Sequence, residues 1–294
     1  MSEIERSSAE WKNADVEHYL HPFTNFHAMV VERAPRVLVR GEGCHLWDID
    51  GNKYIDGFAG LACVALGYGR KELAEAAAQQ IGALSFAASF FGASNKPAIA
   101  LAETLVALTP AGLNHVFYGS TGSDANDSAL RLVRRYWQVK GQPQRQIVIS
   151  REHAYHGSTI AGGALSGIPH MHEQGATLPD IVHIQPPYQY VLGRDLSEEA
   201  FGLKSAGWLE EAIVRAGPER VAAFWMEPIQ GAGGFKMPPR NYLIEVEQIC
   251  RKYDVLLVLD EVITGFGRTG EWFASTTLGP VTPDLLCLAK GITS

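Results

Sequence analysis

Six short stretches between residues 115 and 289 are dominated by aliphatic and aromatic side chains: "HVFYG", "QIVIS", "IVHI", "VAAFWM", "VLLVL" and "LLCLA". A strand with one face in water alternates apolar and polar residues, whereas a continuous apolar run is buried on both faces. Burial on both faces belongs to a parallel sheet covered by helices. Helical patterns separate several of these runs, over 123–139, 206–216 and 242–253. Upstream, Leu73, Ala76, Ala77 and Ile81, then Leu101, Leu105 and Leu108, recur at helical spacing. The expectation is an α/β fold with a mostly parallel central sheet. In such sheets ligands collect at the carboxyl ends of the strands.

The first sixty residues follow a different pattern. "RVLVRGEGCHLWDIDGNKYIDGF" alternates apolar and polar residues around Asp50-Gly51, a strong hairpin signal. A calcium-loop reading of "DIDGN" fails because its glycine stands fourth rather than sixth and no glutamate closes the loop. The pattern changes after Leu61, which divides the chain into 1–60, a helix and hairpin segment, and 61–294.

Charge and cysteine usage narrow the function. With 25 basic and 32 acidic residues the formal charge is −7, and no basic block occurs, which argues against nucleic acid and anionic membranes as partners. No apolar stretch approaches a membrane span. The start, "MSEIERSSAEW", lacks the apolar core of a signal peptide. Cys44, Cys63, Cys250 and Cys287 are scattered without a CxxC pair, so they read as thiols in a reducing cytoplasm.

The ends of the apolar runs carry the polar groups. After "HVFYG" comes "STGSDAND", a small-residue turn opening a helix, with Ser123 as a candidate cap and Asp124 and Asp127 in its first turn. Backbone N–H groups at such a start bind phosphate, although an ordinary cap has the same sequence. "VLLVL" ends in Asp260-Glu261, where an acid either caps the next turn or holds a positive charge on a ligand or metal. The following "GFGRTG" matches G-x-G-x-x-G, but five residues part it from the strand and no good helix follows, so a nicotinamide fingerprint is rejected. After "QIVIS", Tyr155 lies between His153 and His156, a histidine pair with no third metal ligand at a recognised spacing. "VAAFWM" ends in Glu227-Pro228. "LLCLA" ends in Lys290, and a lysine stripped of water becomes an amine nucleophile. A lysine, a phosphate cup, a carboxylate and a flat ring on separate strand ends are together what pyridoxal 5'-phosphate requires.

With these motifs assembled, the sequence resembles the class III aminotransferases, pyridoxal-phosphate enzymes of fold type I. The likeness runs from "HYLHPFTNF" through "LWDIDGNKYIDGFAGL", "GSTGSDAND", "AYHGST" and "EPIQGAGG" to "DEVITGFGRTG" and "AKGITS". It implies a fold type I large domain in 61–294 and a small α+β domain to which 1–60 belongs. It also implies that Lys290 carries the cofactor as a Schiff base and moves protons between carbon atoms. Asp260 pairs with the pyridinium nitrogen, and Thr121, Gly122 and Ser123 hold the phosphate. Tyr155 and Val262 flank the ring, and Glu227 supports its polar edge. Ala62 and Phe90 are expected in the substrate pocket, and no metal is expected.

Ile263 stands where the γ-aminobutyrate and ornithine branches carry glutamine, as in the ω-transaminases that pair amines with pyruvate. The "GLWCVN" of that branch reads "GLACVA" here, opening the pocket at Ala62. The implied activity is ping-pong transfer from a primary amine, diamine or ω-amino acid to a keto acid such as pyruvate, through pyridoxamine phosphate, in a cytoplasmic homodimer or dimer of dimers. Alternatives are a diamine or 4-aminobutyrate aminotransferase, an aminomutase, or an incompetent scaffold. Family members continue well past the lysine, so the resemblance implies a truncated chain whose isolated 294 residues are a poor catalyst.

Overall fold

The computed structural model describes residues 6–32 and 35–293. The charged start at Met1–Glu5 and Ser294, where the last motif ends, lie outside the described residues. Two compact units part in sequence at Ser85 and Phe86; the change of pattern near Leu61 falls inside the first.

The first unit holds the helix Ser8–His18 and an antiparallel sheet of β1 (Leu38–Glu42), β2 (His45–Asp48) and β3 (Lys53–Ile55), in that order. A capping box opens the helix: Ser7 Oγ accepts from the Glu10 N–H while the Glu10 carboxylate accepts from the Ser7 N–H. The expected hairpin is β2–β3, with Trp47 opposite Lys53. Its turn is organised by Asp48, whose carboxylate accepts from the Asp50 and Asn52 N–H groups, the Asn52 amide and, at 2.6 Å, the Tyr54 hydroxyl. The helix Lys71–Ala83 completes the unit.

The second unit is built on five parallel strands: β4 (Ile147–Arg151), β5 (Ile181–Ile184), β6 (Val221–Met226), β7 (Leu256–Asp260) and β8 (Leu285–Cys287), ordered β5-β4-β6-β7-β8. Alternate residues of each strand enter two separate cores. Ile149, Phe224, Met226, Leu257 and Leu259 pack with the helices Glu198–Ala216 and Tyr242–Lys252. Val148, Ala223, Trp225 and Val258 pack beneath the helix Gly122–Val139 through Ala129, Leu130, Val133 and Trp137. Helices on both faces leave no side of β6 in water, and all six of its residues are buried. This is why its sequence reads as an unbroken apolar run.

One expected strand does not form. Residues 115–119, "HVFYG", run without a ladder, and Phe117 and Tyr118 are 62% and 44% exposed. A strand is defined by its partner, and among the described residues none lies beside this segment. Among the described residues β8 pairs only with β7 and forms one edge of the sheet, with β5 at the other. Among the described residues no helix is long and apolar enough to cross a membrane.

Candidate active site

Parallel strands deliver their carboxyl ends to one edge, and the polar residues expected there follow β4, β6, β7 and β8. Asp260 closes β7 and is 3% exposed. Its Oδ2 accepts from Asn126 Nδ2 at 2.8 Å and from His156 Nδ1 at 2.8 Å, and its Oδ1 accepts from the Val262 N–H at 3.0 Å. An ionised carboxylate only accepts, so the His156 tautomer that suits this contact is the one with its N–H at Nδ1. His156 is 1% exposed, and its Nε2 has no partner among the described residues.

The helix Gly122–Val139 reaches this carboxylate through Asn126, in its second turn. Its cap is Thr121 rather than Ser123: Thr121 Oγ1 accepts from the Asp124 N–H at 3.1 Å. Ser123 lies inside the first turn, and its Oγ accepts from the Ser158 N–H at 3.1 Å. Asp127 lies past the first turn and accepts from Thr159 Oγ1 and the Gly162 N–H at 2.6 and 2.9 Å. Among the described residues no acceptor meets the N–H groups of Gly122 and Ser123, the first two of the helix. A helix start leaves such donors open, and they carry the positive end of its dipole.

Close approach holds these segments together. A Cβ on Gly122 would lie 2.9 and 3.0 Å from the Val262 methyls and 3.6 Å from Ala289 Cβ. The helix start, the chain after β7 and the chain after β8 therefore touch where glycine leaves room. Gly157, at φ +133°, would place a Cβ 2.6 Å from Ser123 Oγ, so the loop after β4 joins the same contact.

That loop carries Tyr155, whose N–H donates to Glu227 Oε1 at 3.0 Å; Glu227 Oε2 accepts from the Gly231 N–H at 2.8 Å. Glu227 is 3% exposed. Burial pushes its carboxyl up, His156 pulls it back and Asp260 adds to the rise. Burial likewise raises the Tyr155 hydroxyl. Lys290 opens the 3-10 turn Lys290–Ile292 at φ +51°, in the left-handed region that a side chain adopts at a cost of about 1–2 kcal/mol. Strain of this kind concentrates at functional positions.

Of the expected site residues, Thr121, Gly122, Ser123, Tyr155, Glu227, Asp260, Val262 and Lys290 all stand at the carboxyl edge or on the helix start facing it. Phe90 does not join them: it is 72% exposed, with its ring centroid 6.1 Å from that of Phe91. Ala62 belongs to the first unit, at the end of the short helix Ala59–Ala62. Among the described residues no cluster of His, Cys, Asp and Glu could hold a metal ion. Three residues were missing from the expected set: Asn126, Trp225 and His156 as the partner of Asp260. Asn126 does leave a mark. It shares the buried stripe of its helix with Ala129, Leu130, Val133 and Trp137, a polar residue at an apolar position.

The family described as Aminotransferase class-III matches residues 27–294. The putrescine–pyruvate aminotransferase of Pseudomonas aeruginosa is 48% identical over 286 residues, covering 97% of this chain and 62% of that protein. An (S)-enantioselective omega-transaminase from Thermomicrobium roseum superposes with a TM-score of 0.95 at 44% identity, over 98% of this chain and 64% of that one. The omega-transaminase of Pseudomonas jessenii in complex with PMP gives a TM-score of 0.92 at 40% identity, over 95% of this chain and 62% of that one. The chain thus spans less than two thirds of the length of each of these relatives.

Proposed function

The chain belongs to the class-III aminotransferases, and on that premise we propose that it carries the cofactor-binding part of a pyridoxal-phosphate-dependent aminotransferase. The donor is a primary amine, diamine or ω-amino acid, and the acceptor is a keto acid such as pyruvate. The observation that carries this reading is one convergence. A buried carboxylate, a helix start with two open N–H groups, a tyrosine and a strained lysine meet at one edge of a parallel sheet.

The residues fit the cofactor. The Gly122 and Ser123 N–H groups, at the positive end of an 18-residue helix, suit a phosphate. Asp260 is buried, and a buried charge seeks a counter-charge, which a protonated ring nitrogen provides. When bound, pyridoxal phosphate supplies an electron sink for carbanion chemistry. Asp260 would hold the proton on the ring nitrogen. Lys290 would offer the amine that holds the cofactor and the base for moving a proton. Tyr155 and Val262 would flank the ring, and Glu227 fixes the loop that carries Tyr155.

The names of the relatives support a putrescine-like or other primary amine as donor and pyruvate as acceptor. Residues 1–60 are assigned to the small domain and 61–294 to the large one. Phe86, Phe90 and Phe91, which are 83%, 72% and 106% exposed, support a covering subunit in a homodimer. Four free thiols and an acidic chain support a cytoplasmic protein.

Borohydride reduction of cofactor-saturated protein followed by peptide mapping tests the central assignment. The expected product is a pyridoxyl tag on Lys290. A tag on another lysine, or none, overturns it.

A further inference from the structure

Beneath the site, one buried amide has every hydrogen-bonding group committed. Asn126 is 1% exposed. Its Nδ2 donates to Asp260 Oδ2 at 2.8 Å and to the Gly122 carbonyl at 3.0 Å, and its Oδ1 accepts from the Trp225 indole N–H at 2.8 Å. An indole only donates and a carboxylate only accepts, so each end of the amide has one place to face. Trp225 is itself fully buried on β6, which makes it a fixed reference for the amide. Asp260 then meets two side-chain donors at Oδ2, from Asn126 and His156, and a single backbone donor at Oδ1. Oδ1 therefore retains the greater accepting capacity.

We infer that Asn126 is a positioning residue: oriented by Trp225, it turns Asp260 so that Oδ1 faces the bound cation, and through Gly122 it ties that carboxylate to the helix start. The inference rests on the reading above, in which Asp260 serves the ring nitrogen and the helix start serves the phosphate. One amide thereby fixes the separation between the two ends of the cofactor site. Ring-end and phosphate-end effects of a substitution at 126 are linked, which a residue serving only the core would not produce.

The test compares Asn126→Ala, Trp225→Phe and Val133→Ala in protein supplied with pyridoxal phosphate. Val133 lies on the same helix, fully buried, and serves as the packing control. Cofactor affinity is measured by titration, and the pH midpoint of the bound cofactor's absorbance band is followed alongside. His156, Glu227, Tyr155 and Cys287, the titratable groups in the field of Asp260, stay in place in all three variants, as does Lys290.

Loss of one hydrogen bond to a charged group in Asn126→Ala is expected to move the midpoint by about one pH unit and weaken cofactor binding by about tenfold. Trp225→Phe should move both in the same direction by less. Val133→Ala should lower the melting temperature and leave the midpoint in place. Unmodified protein that does not bind the cofactor overturns the functional reading and this inference with it. Unmodified protein that loads, while Asn126→Ala keeps its midpoint and affinity, overturns the inference alone. Should Asn126→Ala melt below the assay temperature, Trp225→Phe decides: an unmoved midpoint overturns the inference and a shifted one supports it.

Discussion

Asp260→Asn separates the charge of the site from its shape. The substituted amide has one acceptor and one donor end where the carboxylate had two acceptors. Facing Asn126 and His156 with its oxygen, it keeps both bonds at Oδ2 and turns an NH2 toward the Val262 N–H, which loses its acceptor at 3.0 Å. The opposite orientation sets its NH2 against two donors and is worse. The first orientation therefore prevails, leaving one buried N–H unsatisfied at a cost of about 1–3 kcal/mol. Catalysis loses more. An ion pair at a generic separation of ~4 Å contributes about 4 kcal/mol at an effective dielectric constant of 20, or about three pKa units of support for a protonated ring nitrogen. The variant should melt slightly earlier, still take up cofactor at saturating concentration, and exchange amine for pyruvate about 10²–10³-fold more slowly. The assay is single-turnover loss of the cofactor's absorbance band on adding amine, with melting measured in parallel. A loaded variant that turns over at the unmodified rate would refute the role of Asp260.

Two further outcomes follow from local geometry. Gly122→Ala places a methyl 2.9 and 3.0 Å from the Val262 methyls, and overpacking of about 1–3 kcal/mol should weaken cofactor binding on the order of tenfold. Unchanged affinity in titration would show that this contact does not shape the cradle. In the first unit, the Tyr54 hydroxyl and further donors hold the Asp48 carboxyl down at about 2. Its contribution to stability is full above the unfolded value of about 3.9 and is lost as pH falls through about 2. Melting curves of Asp48→Asn and the unmodified protein should therefore differ at pH 5 and converge near pH 2; a constant difference refutes the assignment.

What could be read from the chain divides by range. Burial on both faces marks composition directly, so β4 to β8 stand out as apolar runs, and the hairpin at Asp50-Gly51 is signalled within its own turn. "HVFYG" has the composition of a strand, yet a ladder needs a partner and composition names none. The cap went to Thr121 rather than Ser123 because every residue from Ser120 to Ser123 is small, and only the backbone fixes which one precedes the first turn. Lys290 and Asp260 were legible because each ends an apolar run. The bonds from Asn126 to Asp260 and from Trp225 to Asn126 span 134 and 99 residues, and no spacing rule reaches that far. The pair at His153 and His156 has no third metal ligand at a recognised spacing, and the sequence offers it no other partner. In the fold, the Nδ1 of His156 is spent on a carboxylate 104 residues away.

The charge balance at the strand ends accounts for why these contacts are arranged as they are. Asp260, Glu227 and Glu261 are all buried at or just after the ends of β6 and β7. Glu261 is satisfied by the Ala274 and Ser275 N–H groups and the Thr264 hydroxyl, and Glu227 by the Tyr155 and Gly231 N–H groups. Burial raises the carboxyls of both. Asp260 instead meets two side-chain donors besides the Val262 N–H, and its negative charge adds to the rise at Glu227. The network therefore places its side-chain nitrogen donors on Asp260, and the two carboxyls beside it are raised by burial. A cation arriving at Asp260 relieves that repulsion, so binding at the ring end and ionisation of Glu227 are favourably coupled. Glu227 grips the loop that carries Tyr155, and a fully ionised Glu227 grips it harder. The same electrostatics that attract the ring nitrogen thus tighten the residue assigned to stack on the ring.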